Sequence, residues 1–281
     1  MTDQEKLDVY TIDILLKYRD VNRLMHPNFE KYFVDQVNNY KYRRQDPLDR
    51  SDVRTKLNYI MTKSNISNED ETLYKNMMKI LNKVNNNNDN SLQVTLESLT
   101  TIKYTKLEHF QKLADLVVDK ALNEPTFCSL YASICSELAC YYIEINPSKK
   151  VYFRHTLMTI CQTTFESFLN NCENIERTRL IGLMRFLGEL YTKGLLPAVI
   201  VKGCFDRLSL LLEKVKHAAD GISELSISTY RTLLNEQQPT VAKHIKERLN
   251  SFVDNGRLHI QSKFVLQNAI DKIEEINKSL N

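Results

Sequence analysis

The 281-residue sequence has no tryptophan and only six glycines and six prolines. Tight turns draw on Gly and Pro, so their scarcity argues against an all-β fold built from many hairpins. Long helices with short connections fit better. No apolar run approaches the roughly 18 residues that a membrane span needs, so no span is expected. The N-terminal stretch MTDQEKLDVY lacks the apolar core of a signal peptide, and a cytoplasmic protein is expected. Charge of one sign does not dominate: 38 basic residues face 35 acidic ones, for a formal +3. That balance carries no strong polyanion signal. The six cysteines include no Cys-x-x-Cys pair, and they read as small buried apolar side chains in a reducing compartment. The histidines show no metal-ligand spacing, and His109 and His155 are expected at surface or boundary positions. A Gly-rich phosphate loop and a Gly-x-Ser-x-Gly elbow are both missing. Glu137, Glu144, Glu166 and Glu189 read as helix-surface charge. A non-enzymatic chain without cofactor or metal is therefore expected.

What the sequence does contain is helical spacing. Hydrophobic residues make up 42% of the chain, enough for a sizeable core. From about residue 71, Leu73, Met77, Ile80, Leu81 and Val84 recur as one helix face would require. The Asn-rich run at 85–90 stops that helix, because Asn and Asp favour caps and turns. Leu92, Leu96 and Leu99 begin a return helix. Leu107, Phe110, Leu113, Ala114, Val117, Val118 and Ala121 mark the next, which Pro125 breaks. Phe127, Leu130, Tyr131, Ile134 and Leu138 then form another stripe. Further helices are expected over 151–169, 176–193, 199–215, 223–235, 240–253 and 258–278. Gly194 is a natural C-cap, and Gly221 is expected to end a connection. This makes about ten helices in antiparallel pairs of roughly 35–45 residues, the signature of a HEAT or armadillo α-solenoid. The pairs show no strong self-similarity, so a globular bundle stays open on pattern alone.

The chain divides into three parts on this reading. Residues 1–30 carry an amphipathic segment, 31–70 a polar and basic linker, and 71–281 the helical domain. In the linker, Lys41, Arg43 and Arg44 alternate with Tyr40 and Tyr42. Such a mix can stack bases and pair phosphates, or can simply be solvated. Residues 57–61 are a candidate short helix.

Five blocks add a resemblance. Residues 78–84 (MKILNKV), 119–127 (DKALNEPTF) with Tyr131-Ala132, 151–154 (VYFR) with Leu157, Cys161-Gln162 and Phe165-Glu166, 185–191 (RFLGELY), and 262–271 (SKFVLQNAID) occur in the order seen in the middle domain of initiation factor 4G. The sequence resembles that family across 71–281. The resemblance implies an all-α HEAT-repeat solenoid of about five antiparallel helix pairs that binds the DEAD-box helicase factor 4A. Turns between paired helices are the expected contacts: Leu81, Asn82 and Lys83 after the first helix, Glu124, Pro125 and Phe127 at the second pair's junction, and the exposed part of the 194–202 turn. Tyr10, Leu15 and Leu16 fit the Tyr-x-x-x-x-Leu-apolar pattern that resembles docking segments for cap-binding factor 4E. There the tyrosine and two apolar anchors enter a groove as a short helix. Tyr152, Leu157 and Met158 fit the same pattern inside an expected solenoid helix. The resemblance thus implies a translation-initiation scaffold, with mRNA and the small-subunit initiation machinery as further partners. A related scaffold of mRNA decay or splicing with another helicase, or a decoy that represses initiation, stays open.

Overall fold

In the computed structural model, the described residues are 68–281, apart from 85–88, 147–148, 172–175, 216, 237, 255–256 and 281. The expectations for Tyr10, Leu15, Leu16, Lys41, Arg43, Arg44 and the 57–61 helix lie outside the described residues.

Apolar residues at helical spacing form ten α-helices among the described residues. They are α1 (Asn68–Leu81), α2 (Asp89–Thr100), α3 (Leu107–Asn123), α4 (Cys128–Leu138), α5 (Phe153–Asn170), α6 (Arg177–Thr192), α7 (Ala198–Ser209), α8 (Ala218–Asn235), α9 (Pro239–Asp254) and α10 (Ile260–Leu280). Glu69, Asp70 and Glu71 in the first turn of α1 and Lys79 in its last complement the helix dipole. A 3-10 turn, Pro125–Phe127, links α3 to α4. Each odd-numbered helix packs on the even-numbered helix that follows, giving five pairs. The pairs stack in two layers: α4, α6, α8 and α10 pack successively in one, while α1 packs on α3 and α3 on α5 in the other. This is the all-α, HEAT-type arrangement that the periodicity predicts.

The core runs through both layers. Phe110, Tyr131, Phe153, Phe186, Tyr191 and Phe205 are fully buried. Phe110 meets Phe153 edge-to-face at 5.6 Å between centroids, joining α3 to α5. Gly182 sets a close backbone crossing. A Cβ there would sit 2.6 Å from the backbone oxygens of both Ala121 and Leu122, so only glycine lets α6 cross α3 so closely. At the other end of α6, Gly194 adopts φ +72°. Its N–H donates to Tyr191 O at 2.8 Å, and the Leu195 N–H donates to Leu190 O at 2.9 Å. That is a Schellman cap with buried Leu190 and Leu195 at its apolar positions.

Four expectations change. Gly221 lies inside α8, where its α-carbon faces Leu208, Leu180 and Met184, instead of ending a connection. Helix α7 correspondingly stops at Ser209, short of 215. Residues 151 and 152 are not helical: β1 (Tyr142–Asn146) and β2 (Lys149–Tyr152) form an antiparallel hairpin, with Tyr142 opposite Tyr152 and Ile143 opposite Val151. Its residues are largely aromatic and β-branched, which suits a pleated strand better than a helix. His109 is buried, at 3% exposure. The Thr105 N–H donates to its Nδ1 at 3.2 Å, which leaves Nε2–H to donate to Asp70 Oδ1 at 3.0 Å. The imidazole thereby ties the start of α3 to α1. His155 is exposed, as expected.

Cys128, Cys135, Cys161 and Cys204 are buried free thiols. Burial pushes the thiols of Cys128, Cys161 and Cys204 up to about 12, so they are unreactive core groups. Cys140 departs from this pattern and is exposed.

The α6–α3 crossing yields a paired test by chemical denaturation. Gly182→Ala is expected to destabilise the fold by about 1–3 kcal/mol, because the methyl group must displace backbone. Gly203→Ala in α7 has no atom within 4 Å of the new Cβ and is expected to stabilise by roughly 0.5–1 kcal/mol through helix propensity.

Candidate docking edge between paired helices

The turns of the first two pairs adjoin, joined through Lys120. At the first, Asn82 and Lys83 are exposed after the last turn of α1. Leu81 does not join them. It is fully buried in the core, so the expectation that it contacts a partner is corrected: an apolar side chain at that helix position faces inward.

At the second turn, α3 stops because Pro125 cannot continue the hydrogen-bond ladder. The Glu124 N–H still reaches Lys120 O at 2.8 Å. The Glu124 side chain turns back on its own helix, where Lys120 Nζ donates to Oε1 at 2.8 Å. Tyr131, from α4, donates its hydroxyl to the other carboxylate oxygen at 2.5 Å. Burial pushes the Glu124 carboxyl up, but the hydrogen bonds from Lys120 and Tyr131 outweigh that and hold it below the ordinary 4.5. Lys120 Nζ also donates to Asn82 Oδ1 at 3.0 Å. Two residues expected at separate turns, Asn82 and Glu124, are thus joined through one ammonium group. Pro125 and Phe127 are half-buried beside them, with the Phe127 ring 6.4 Å from that of Tyr131.

The polar chain continues onto α6 and α8. Arg185 Nη1 donates to Pro125 O at 3.4 Å, while its Nε and Nη2 donate to Glu224 Oε2 at 2.9 and 2.7 Å. Arg179 donates to Asn123 Oδ1 at 2.7 Å and to Asp119 Oδ1 at 3.2 Å. Arg177 pairs with Asp220 at 2.7 Å. Lys120, Tyr131, Arg179 and Arg185 had not been singled out as site residues. The four-residue spacing of Lys120 and Glu124 is legible on a helix. Tyr131 lies seven residues from Glu124, and the remaining partners are 38 to 60 residues apart in sequence and meet only through the fold.

In the 194–202 segment, Gly194 is exposed and Pro197, Ala198, Val199 and Ile200 are half-buried. Leu195 and Leu196 are buried, and Arg154 Nη2 donates to Leu195 O at 2.7 Å. The second Tyr-x-x-x-x-Leu match is folded into the domain: Tyr152 ends β2 and Leu157 is fully buried. Large apolar side chains do stand exposed on α10, where Ile260 and Phe264 are one turn apart and each 63% exposed. The edge holds preformed, internally paired charges beside partly covered rings. Such a surface suits recognition of another protein, with no nucleophile–base pair at its centre.

Comparison with known proteins places the chain in a family. The chain is similar to Eukaryotic translation initiation factor 4G of Cucumis melo, 26% identical over 234 residues, covering 73% of this chain and 12% of that protein. It is also similar to Eukaryotic translation initiation factor 4 gamma of Dictyostelium discoideum, 24% identical over 293 residues, covering 79% of this chain and 21% of that one. The human Eukaryotic translation initiation factor 4 gamma 3 is 24% identical over 232 residues, covering 72% of this chain and 14% of that one. The chain therefore spans only about an eighth to a fifth of the length of these curated relatives. Among solved structures, the MIF4G domain of Trypanosoma cruzi translation initiation factor EIF4G5 is 18% identical, with a TM-score of 0.44, covering 73% of this chain and 96% of that one. The MIF4G domain model matches residues 74–272, from the first turns of α1 well into α10. With more than half its length matched, the chain belongs to the MIF4G family, the family of the initiation factor 4G proteins.

Proposed function

We propose that this chain is a non-catalytic scaffold of translation initiation in the cytoplasm, holding a DEAD-box helicase of the factor 4A type and a cap-binding protein of the factor 4E type. The match to the MIF4G family across all ten helices carries the reading. The helicase binds along the docking edge at Asn82, Lys83, Glu124, Pro125 and Phe127, with Lys120 and Arg185 holding those turns in register. A helicase with two lobes changes their separation as it cycles. Helices packed side by side offer contact points at set distances, so binding limits the lobes' relative motion. Binding energy is then spent on geometry, and the scaffold needs no reacting group of its own. The cap-binding protein takes Tyr10, Leu15 and Leu16 as a helix in its groove. Lys41, Arg43 and Arg44 contribute phosphate contacts to mRNA, which brings the small-subunit machinery to the same message.

Three outcomes check this reading. Calorimetric titration into factor 4E should show binding that Leu15→Ala/Leu16→Ala weakens by several kcal/mol, about what two groove anchors supply. Native chain that fails to bind would remove the cap-binding half of the proposal. Lys120→Met should weaken factor 4A binding by roughly ten- to a hundredfold, since one charge-assisted contact is worth about 1.5–3 kcal/mol. Unchanged helicase affinity in that variant would move the interface off this edge.

The third outcome is a pH dependence. Because the native Glu124 carboxyl titrates below its ordinary 4.5, its contribution to stability is present above that value. The contribution is lost as the pH falls through the lowered native value. Melting curves of the native chain and Glu124→Gln should therefore differ most near neutrality and converge at acid pH. A gap independent of pH would show that the carboxylate is not what Lys120 and Tyr131 hold.

A further inference from the structure

The hairpin that joins α4 to α5 is the only β-structure among the described residues. Its ladder fixes which backbone groups point outward. The Phe153 N–H donates to Tyr141 O at 2.8 Å, so the ladder bonds fall on the 141–153 pair and, by alternation, on Ile143–Val151. The pairs in between, Tyr142–Tyr152 and Glu144–Lys150, therefore aim their N–H and C=O groups away from each other. Among the described residues, nothing pairs with those groups of Tyr142 and Glu144. Phe153 is fully buried and Ile143 is 5% exposed, and the two anchor the hairpin to the core. The free backbone edge is thus held in place before anything binds it.

The two edges differ in their side chains. Strand β2 carries Lys149 and Lys150, and edge lysines oppose the addition of another strand. Strand β1 has neither lysine nor proline over 142–146. Along it Tyr141, Tyr142 and Ile145 are 38%, 46% and 49% exposed. The register shifts between Glu144 and Asn146, which leaves Ile145 out of the pairing with β2. The single charge of β1 is Glu144, which lies 3.4 Å from the Lys150 ammonium and is still 56% exposed. Opposite charges on neighbouring strands attract, so an added strand is best served by Lys or Arg across from Glu144. A second copy of the chain fits worse. Pairing β1 antiparallel with another β1 about its centre would set two Glu144 carboxylates face to face, and like charges directly opposite are destabilising. A two-stranded sheet is also marginal by itself, and a third strand supplies the pairing it lacks.

We propose that the outer edge of β1 is a strand-addition site for an extended segment of a protein partner, apolar at alternate positions and with a lysine or arginine across from Glu144. Main-chain bonds to Tyr142 and Glu144 supply the affinity, and the alternating side chains supply the selectivity. The site is separate from the turns at Asn82 and Glu124 and independent of the scaffold reading. Recognition needs no bond to form or break.

The test is amide hydrogen exchange of the full chain, read by NMR, with the synthetic peptide Ser-Val-Lys-Val-Thr-Val-Ser as probe. Exchange at the Tyr142 and Glu144 amides should slow as the peptide saturates, while Lys150 and Tyr152 keep their rates. That alternation is specific to a strand added beside β1. Glu144→Lys should weaken half-saturation by about two- to tenfold, and a peptide with Glu in place of its Lys should recover it. Unchanged exchange at Tyr142 and Glu144, slowing at Lys150 and Tyr152 instead, or an equal response of the native chain to both peptides would overturn the site. Slowing that follows protein concentration without peptide would also overturn it, by assigning the edge to a second copy. Oligouridylate covers the remaining class. If it shifts the Tyr142 and Tyr152 ring resonances while the peptide leaves the amides unprotected, the hairpin binds single-stranded RNA and the proposal fails.

Discussion

The close crossing of α6 over α3 at Gly182 is the contact on which the rest of the arrangement depends. A Cβ there would lie 2.6 Å from two carbonyl oxygens, so the two backbones are nearly in contact. The Cys128 thiol seals the same crossing, reaching the carbonyl oxygens of Ala121 and of Gly182, each at 3.5 Å. It takes the small buried role that a weakly donating apolar group can fill. Helix α6 also packs on α4 and, most extensively, on α8. Its position relative to α3 therefore propagates into both layers. A larger residue at 182 would move every element that α6 touches.

The docking edge follows from that constraint. Arg179 and Arg185 sit on α6, within two turns of Gly182, and they reach back to the end of α3 and forward to α8. Arg185 is a third exposed and Glu224 a quarter, and pairs of this kind contribute no more than about 1 kcal/mol each. The core supplies the stability, since deleting one buried Leu or Phe side chain costs about 2–5 kcal/mol. The arginine contacts have another consequence: they hold Pro125 and Glu124 in one arrangement relative to the next pair. A partner that meets this edge finds its contacts already ordered, so less conformational entropy is lost on binding.

Much of the fold is legible in the sequence because helices in stacked pairs advertise their buried faces. Leu107 to Ala121 and Phe127 to Leu138 mark α3 and α4, and Pro125 marks the break between them. Gly194 is read correctly as a C-cap, since the helix ends on it with positive φ. Gly221 is misread because a glycine that ends a helix and one that admits a neighbouring side chain look alike in sequence. The hairpin escapes because residues 142–146 and 149–152 are short and lie between two helical stretches, the second of which starts at Phe153. His109 is placed outside the core for want of a visible partner, Asp70, which lies 39 residues earlier. At the candidate site, Leu81 shows the limit of reading contacts from a motif: the residues that make a block recognisable are mostly those that pack.

That limit has a physical origin in how a solenoid divides its work. Packing positions repeat with the helical period, so they are visible as stripes and as blocks that resemble a family. Edge positions occupy turns, where no period applies and almost any polar residue is tolerated sterically. Lys120 illustrates the difference. It lies in the block DKALNEPTF without contributing to its apolar stripe, yet its ammonium joins Asn82 of the first pair to Glu124 of the second. A single long, flexible cation spans the two turns because α1 packs on α3 closely enough for it to reach both. Replacing it by another helix-forming residue would leave the periodicity and the core untouched while separating two turns of the edge.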